Sequence, residues 1–243
     1  AYKLSSSAWT SSTYKYVDFF HSPQFCNDCG HIFNSSPPNP KNLESYYLDQ
    51  IQHIAEDYDA CKRISIIEEI NHDGTKKRLL DFGGNSRMKF HSELKKRGYS
   101  VSIKDVGDSS EETNFDIISS YFVFEHLIDL DATVLELKAE LAAGGKIIIE
   151  VPDAILYDTD YSGLLYEHQQ HFQNASLKTL MARHGFEEIF TSHELCSRNF
   201  GFVSVFQEGS CPSKSFPIDA SVAEKYIVGR AKQIRLSEYI YEF

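Results

Sequence analysis

The sequence predicts an α/β fold with a mostly parallel sheet, a C-terminal antiparallel hairpin and helices on both faces. Between residues 75 and 185, short apolar runs alternate with segments of helical periodicity, which is the order of parallel strands joined by crossover helices. Two later apolar runs, 186–192 and 200–206, are separated by only a short loop. They should therefore pair antiparallel, because parallel strands need a longer connection.

Size and charge narrow the functional classes. The chain has 243 residues, which can bury the core of one large domain or of one domain with appendages. Its formal net charge is −11 and it has no local basic stripe, which argues against a nucleic-acid groove and favours a small-molecule partner. No apolar run approaches the length of a membrane span, and we see no signal-peptide pattern. Five cysteines without a disulfide framework indicate a reducing, cytoplasmic setting.

The N-terminal segment contains one pair of neighbouring cysteines. Cys26 and Cys29, followed by Gly30, have the spacing of half a tetrahedral zinc knuckle. His21 and His31 are the nearby residues that can complete the ligand set. We predict an N-terminal lobe over residues 1–40 with a partial zinc knuckle. Bound structural zinc and a pair of free thiols both remain open.

Helical spacing follows the proline-rich linker. Asn39 and Pro40 suit the first turn of a helix, and apolar residues then recur three or four apart as far as Ile70. The sequence Asn-His-Asp-Gly at 71–74 ends the pattern. Residues 41–74 are therefore predicted to be connecting helices.

The next segment is predicted to be a strand, a glycine turn and a helix. A short apolar strand ends at Asp81, and Gly83, Gly84 and Asn85 follow at once. A helix capped by Ser86 then runs towards residue 98. This order brings backbone N–H groups close to a ligand, although a tight turn in any α/β domain has the same appearance.

Three further strands complete the predicted parallel part of the sheet. Residues 99–104 form a strand that ends at Asp105, where an acidic side chain can bind the ribose hydroxyls of a nucleotide-like cofactor. Residues 115–120 form the next strand. A helix capped by Asp131 runs to residue 141 and is ended by Gly144 and Gly145, and the strand over 146–151 is broken by Pro152.

The last part of the chain is predicted to be a loop, a helix, the hairpin and a tail. The loop ends with residues 166–172, and the helix begins at Asn174 or Ser176 and stops at Gly185. Residues 209–243 are predicted to be a C-terminal tail with one amphipathic helix.

Taken in order, residues 25–206 resemble a class I S-adenosylmethionine (SAM)-dependent methyltransferase. Five segments match that family's motifs in chain order: 79–85, Asp105, 115–127, 143–152 and 167–186. The resemblance implies a Rossmann-like methyltransferase domain over residues 75–208, with SAM as cofactor and with the sheet shortened between its second and fourth strands. It also implies a set of cofactor-binding residues: Asp81, Gly83, Gly84, Asn85, Asp105, Tyr121, Phe122 and Glu125.

Within the family, two motifs are similar to those of sugar C-methyltransferases that carry an N-terminal zinc-binding lobe. These are the segment from Cys26 to His31 and the late Glu167-His168 pair. This resemblance implies that the acceptor is a sugar or sugar nucleotide, methylated at carbon or oxygen. If the acceptor carries phosphates, Lys146, Arg183 and Arg198 are candidates to bind them, with surface charge as the alternative.

A methyl transfer to oxygen or carbon requires removal of a proton, and histidine is a base near neutral pH. We predict that His168 is this base, that Glu167 orients it and that Tyr166 contacts the substrate. His126 is either a second base or a capping residue, and Glu167 and His171 can instead pin the following helix. The alternative to an enzyme is a degenerate methyltransferase domain that acts as a scaffold in a larger protein.

Overall fold

The computed structural model describes residues 22–36, 59–71, 77–84, 89–108, 112–160, 163–165, 167–209 and 216–240, the last with side chains to residue 233. Its strands are β1 Pro23–Phe25, β2 Ile32–Asn34, β3 Arg78–Phe82, β4 Ser100–Lys104, β5 Phe115–Tyr121, β6 Leu141–Pro152, β7 Gln170–His171, β8 Phe186–Ser192 and β9 Gly201–Glu208. Its α-helices are α1 Ala60–Ile70, α2 Lys89–Lys96, α3 Leu130–Glu140, α4 Asn174–Arg183 and α5 Val222–Ile240.

The main sheet has six strands in the order β4-β3-β5-β6-β9-β8. The first four are mutually parallel, while β9 is antiparallel to both β6 and β8. The predicted fold class is therefore confirmed, including the C-terminal hairpin. The predicted shortening is also found, because residues 105–114 connect β4 to β5 and, in the described part of the chain, no strand pairs with the outer side of β4.

The two faces of the sheet are covered by different helices, as the sequence predicts. Ile147 and Ile149 of β6 pack in a cluster with α3 and α4, whereas Ile148 packs in a second cluster with α1 and α2. All three side chains are fully buried. Successive residues of a strand point to opposite faces, so an unbroken apolar run is what a strand covered on both sides requires. Each buried isoleucine contributes about 1.5–3 kcal/mol.

One predicted helix boundary is wrong. The helix after β5 is capped by Asp129, whose carboxylate accepts a hydrogen bond from the N–H of Ala132 at 2.9 Å, and it ends at Glu140. Asp131 instead pairs with Arg183 and His184. Gly144 and Gly145 lie within β6, next to the irregular pairing at its start.

The N-terminal segment forms a second, three-stranded sheet in the order β1-β2-β7. Ile32 and Phe33 of β2 pair antiparallel with His171 and Gln170 of β7. The late loop is thereby hydrogen-bonded to residues near the start of the chain. Of the helices predicted over 41–74, α1 is the described part, and residues 37–58 lie outside the description. No helix of the described residues is long and apolar enough to cross a membrane.

Candidate active site

The glycine turn follows β3 at the carboxyl edge of the parallel strands. Gly83 has φ of 74°, and a Cβ atom there would lie 2.4 Å from Cγ2 of Val123. A Cβ atom on Gly84 would lie 2.0 Å from Oδ2 of Asp81. Both contacts are too short for any side chain, so the turn requires glycine twice. The bare backbone lies directly against the segment that follows β5.

Asp81 is buried beneath this turn with both carboxylate oxygens bonded. Nε2 of His91 on α2 lies 2.7 Å from Oδ2, and the hydroxyl of Ser119 on β5 donates to Oδ1 at 2.8 Å. The carboxylate therefore ties three elements together below the glycines. Neither His91 nor Ser119 was predicted from the sequence to be a site residue. A signal for His91 is its position between Phe90 and Leu94, on the buried side of α2.

Asp105 lies at the end of β4 and is exposed. Its carboxylate accepts a hydrogen bond from the N–H of Val106 at 2.7 Å, so it is held at the same edge as the glycine turn. Asn85, the other predicted cofactor residue of this region, lies outside the described residues.

The end of β5 has an unusual backbone. Phe122 has φ of 57°, which is rare for an aromatic residue and costs about 1–3 kcal/mol. The turn is held because the N–H of Phe122 donates to the carbonyl of Glu150 at 2.8 Å. The ring of Phe122 contacts Phe200 edge-on and lies 4.9 Å from the guanidinium of Arg198. Before it, Tyr121 is buried beneath the guanidinium of Arg63 at 3.9 Å, and burial raises its pKa.

Three of the predicted site residues converge just beyond this turn. Glu125 and His126 lie in the 3₁₀ turn Phe124–His126, and His168 comes from the late loop. Oε1 of Glu125 is 3.8 Å from Nε2 of His126 and 3.9 Å from Nε2 of His168. The two imidazole rings are edge-to-face, with their centres 4.6 Å apart. We refer to Glu125, His126 and His168 as the Glu–His–His cluster.

Similarity to known proteins supports the fold and the family. A protein-family model described as a methyltransferase domain matches residues 51–189, more than half of the chain. The chain belongs to this methyltransferase family. The prediction that the chain is a SAM-dependent methyltransferase is thereby confirmed. No curated protein sequence matches the chain.

Two solved structures share the fold of this methyltransferase. One is the 1,6-didemethyltoxoflavin-N1-methyltransferase of Burkholderia thailandensis, determined with 1,6-didemethyltoxoflavin and S-adenosylhomocysteine bound. It is 15% identical, covers 78% of this chain and 100% of its own, and has a TM-score of 0.55. The other is a SAM-dependent methyltransferase from Archaeoglobus fulgidus, 13% identical, covering 67% of this chain and 99% of its own, with a TM-score of 0.50.

The residues at the carboxyl edge fit SAM, the cofactor of this methyltransferase class. The glycine turn leaves a cradle that a Cβ atom would fill, and its backbone is the part of the protein that can approach a ligand most closely. Asp105, on the neighbouring strand, presents an exposed carboxylate suited to ribose hydroxyls.

The hydrogen bonding of His168 defines which ring nitrogen carries a proton. Nδ1 lies 2.7 Å from the carbonyl oxygen of Gly163, which can only accept, so Nδ1 is the donor. Burial lowers the pKa of His168 well below its usual value. The ring is therefore neutral near pH 7, and Nε2 carries a lone pair facing the Glu–His–His cluster. The carbonyl of Gly163 thus orients the ring, a role predicted from the sequence for Glu167. Tyr166 lies outside the described residues.

Burial shifts the two other members of the cluster in opposite directions. It raises the pKa of Glu125 to about 8 and lowers the pKa of His126 to about 4. The ring of His126 is also hydrogen-bonded to the backbone carbonyl of Glu167. Nδ1 of His171 lies 3.1 Å from the hydroxyl of buried Tyr157. This contact is not with the following helix, so the pinning role of His171 stays a prediction.

The N-terminal strands hold the late loop against the cluster. The N–H of Gln169 donates to the carbonyl of Glu125 at 2.7 Å, and the Gln169 side chain accepts from Asn34 at 2.9 Å. The side chain of Gln170 donates to the carbonyl of Leu127 and lies 2.8 Å from Nε2 of His31. The small sheet is thus part of the structure that positions His168.

The predicted zinc knuckle has the expected turn but an incomplete ligand set. Gly30 has φ of 70°, and its N–H donates to the carbonyl of Cys26 at 2.8 Å, which closes a tight turn after the cysteine pair. However, Cys26 and Cys29 belong to no group of three potential ligands in the described part of the chain. His31 is engaged with Gln170 instead, and His21 lies outside the description. Structural zinc at this position stays a prediction.

The three cations considered for phosphate binding lie in different places. Arg183 forms an exposed pair with Asp131, and the ammonium of Lys146 donates to the carbonyl of Ile70 at the opposite edge of the sheet. A small cavity of about 90 Å³ also lies at that opposite edge, bordered by Lys77, Asp116 and Gly144 among others. Only Arg198, stacked on Phe122, lies near the Glu–His–His cluster.

Proposed function

We propose that this methyltransferase transfers the methyl group of SAM to a small polar acceptor, a sugar or sugar nucleotide, at carbon or oxygen. The observation that carries the proposal is the position of the Glu–His–His cluster. It lies two residues beyond Val123, the residue that packs against the glycine turn. A proton-accepting group therefore lies beside the place where the family binds its methyl donor.

The acceptor must lose a proton as it takes up the methyl group. When bound, SAM supplies an electrophilic methyl group on a positively charged sulfur. His168 accepts the acceptor proton at Nε2, because Nδ1 is already protonated and fixed by Gly163. The imidazolium that results faces Glu125 at 3.9 Å.

In its ionised form, Glu125 makes His168 a stronger base than a histidine that is buried without a charged partner. An isolated buried histidine resists protonation, since the charged form loses its hydration. Burial raises the pKa of Glu125 to about 8, so its side chain is largely protonated near pH 7. Once ionised, its carboxylate within 4 Å favours the charged form of His168, and the burial of both groups strengthens their attraction. Glu125 therefore replaces Glu167, the orienting carboxylate predicted from sequence, as the proposed partner of the base.

Arg198 supports a phosphorylated or nucleotide-linked acceptor. Its guanidinium lies over the ring of Phe122 at 4.9 Å, so a positive charge is held within the same site. A guanidinium binds phosphate oxygens in a bidentate way, which suits a diphosphate between sugar and nucleoside. Arg198→Gln is expected to raise the KM for a nucleotide-linked acceptor without changing the KM for the free sugar.

The first test is calorimetric titration of the chain with S-adenosylhomocysteine. We expect micromolar binding that is weakened at least tenfold by Asp105→Ala. A folded protein that does not bind it would favour the alternative function, a degenerate methyltransferase domain acting as a scaffold.

The second test concerns the acceptor and the base. Nucleotide-linked keto sugars, other sugar hydroxyls and nitrogen heterocycles would be offered with SAM, and product formation followed by mass. We expect turnover of a sugar acceptor, at a rate reduced about 10²–10⁴-fold by His168→Gln. The matched control is His193→Gln, which changes an exposed histidine outside the cluster. Full activity of the His168 variant would contradict the role of base.

A further inference from the structure

The Glu–His–His cluster has the donor atoms of a metal centre. One ligand atom from each of Glu125, His126 and His168 lies within 4.8 Å of the other two. Within the described residues, no other histidines, cysteines, aspartates or glutamates form such a group of three. Two imidazole nitrogens and one carboxylate oxygen form a donor set that protein sites use for zinc and related divalent metals.

The carboxylate of Glu125 lacks the hydrogen bonds that a buried polar group requires. The residue is 1% exposed, and neither carboxylate oxygen has a hydrogen-bond partner in another described residue. A buried polar group without partners costs about 1–3 kcal/mol, more when it is charged. An ion bound between Glu125 and the two histidines would remove this cost.

The histidines are oriented in the way that metal-binding histidines usually are. Nδ1 of His168 donates to the carbonyl of Gly163 at 2.7 Å, and the ring of His126 is bonded to the carbonyl of Glu167. A backbone carbonyl at one ring nitrogen fixes the ring and thereby directs the other nitrogen. In His168 the nitrogen directed in this way is Nε2, the atom that faces Glu125.

We infer that Glu125, His126 and His168 bind a divalent transition-metal ion, with zinc as the best fit, and that this ion binds an oxygen of the acceptor. Zinc–ligand distances of 2.0–2.2 Å separate tetrahedral ligand atoms by about 3.4 Å. The carboxylate oxygen lies 3.8 and 3.9 Å from the two nitrogens, and all three ligand atoms lie within 4.8 Å of one another. Side-chain rotation would therefore have to close these separations by about 0.5–1.5 Å. Magnesium fits less well, because it prefers oxygen ligands in octahedral geometry.

Three protein ligands leave at least one position open for the acceptor. A hydroxyl or enolate oxygen bound there would have its pKa lowered by the ion, so that solvent can take its proton. In the loaded site His168 is a ligand, and the ion takes over the activation assigned to His168 in the metal-free protein. The inference concerns the site of the proposed function, but the binding of the ion follows from the donor geometry alone.

The test is a zinc titration of the full chain in which the cysteine pair is removed. Cys26→Ser/Cys29→Ser protein, stripped with a chelator, would be titrated with zinc in competition with a chromophoric chelator. We expect one ion with a micromolar or tighter Kd, and at least 100-fold weaker binding when Glu125→Gln is added. Adding His193→Gln should leave the Kd unchanged. The cobalt-substituted protein should show an absorption spectrum without thiolate charge-transfer bands.

Two outcomes would overturn the inference. One is the absence of zinc binding by the folded double-serine protein, and the other is binding that Glu125→Gln does not weaken. Binding of S-adenosylhomocysteine, measured on the same samples, separates this inference from the proposed function. Protein that binds S-adenosylhomocysteine but not zinc would retain the proposed function and lose the metal site. Protein that binds zinc but not S-adenosylhomocysteine would retain the metal site and lose the proposed function.

Discussion

Two buried carboxylates lie at the same edge of the sheet and have opposite surroundings. Asp81 is 1% exposed and both its oxygens are bonded, to His91 and Ser119. Glu125 is equally buried, yet its oxygens have no hydrogen-bond partner in another described residue. The comparison separates two uses of a buried carboxyl group. The interactions of Asp81 are complete without a ligand and shape the glycine turn, whereas those of Glu125 are completed only by a proton, a substrate or an ion.

The largest effect on stability is expected when the hydrogen-bonded carboxylate of Asp81 is removed. Asp81→Ala removes the acceptor of His91 and Ser119 and leaves a void beneath Gly84, so it should lower the free energy of unfolding by about 3–5 kcal/mol. Urea denaturation would measure this. Asp105→Ala, an exposed carboxylate at the same edge, is the control and should stay within about 0.5 kcal/mol of the parent. Equal effects of the two variants would contradict the structural role of Asp81.

The contribution of His31, which contacts the late loop, to the free energy of unfolding should depend on pH. Burial lowers the pKa of His31 to about 4, so the unfolded chain binds the extra proton first as the pH falls. Stability from this residue is complete above pH 6.5 and is lost towards pH 4, where the loss reaches about 3 kcal/mol.

The matching experiment is urea denaturation of parent and His31→Gln protein at pH 7 and pH 4. The loss of stability between the two pH values should be smaller in the variant by about 3 kcal/mol. His193→Gln, in which a largely exposed histidine is changed, should behave as the parent does. If His31→Gln leaves the pH dependence unaltered, His31 is not held neutral in the folded protein.

A substitution in the glycine turn should lower the free energy of unfolding less than Asp81→Ala does. Its effect on the binding of S-adenosylhomocysteine should be larger. Gly84→Ala places a Cβ atom 2.0 Å from Oδ2 of Asp81, which should cost about 1–3 kcal/mol and abolish detectable binding of S-adenosylhomocysteine. Gly144→Ala is the control at the opposite edge, where φ is 76° but no atom lies within 4 Å of the added Cβ. It should lose about 1–2 kcal/mol and keep the affinity. Calorimetric titration of both proteins decides between a cofactor turn and an ordinary one.

The smallest effect on stability is expected at the other carboxylate. Glu125→Gln keeps the size of the side chain and removes no hydrogen bond to another described residue, so the free energy of unfolding at pH 7 should change by about 1 kcal/mol or less. The same urea measurements as for Asp81→Ala apply. If Glu125→Gln lowers the free energy of unfolding nearly as much as Asp81→Ala does, Glu125 also stabilises the fold. That result would contradict the distinction between the two carboxyl groups.

Most of the sheet could be predicted from the sequence because its strands are unbroken apolar runs. The consecutive isoleucines Ile147, Ile148 and Ile149 predict a strand that is covered on both faces. The start of α3 was mispredicted because Asp129 and Asp131 both suit a helix cap, and only the backbone geometry distinguishes them. For the site, Glu125, His126 and His168 were each predicted as site residues, but not as one cluster.

The parts that were missed depend on contacts between distant residues or on backbone atoms. The carbonyl of Gly163 that orients His168 has no side-chain signature, so the sequence analysis assigned the role to neighbouring Glu167. The cysteine pair drew attention to metal binding, whereas the described contacts of that lobe are the pairing of β2 with β7 and the bond from His31 to Gln170.

The pairing of β2 with β7 also has a consequence for folding kinetics. His31 and Gln170 are 139 residues apart in the chain, and closing so long a loop carries a large entropic cost before any contact offsets it. We therefore expect the main sheet to form first and the small sheet to join it afterwards. In a refolding experiment, near-native secondary structure should precede the ability to turn over substrate. A ribosome would have to release most of the chain before the loop with His168 could be locked in place.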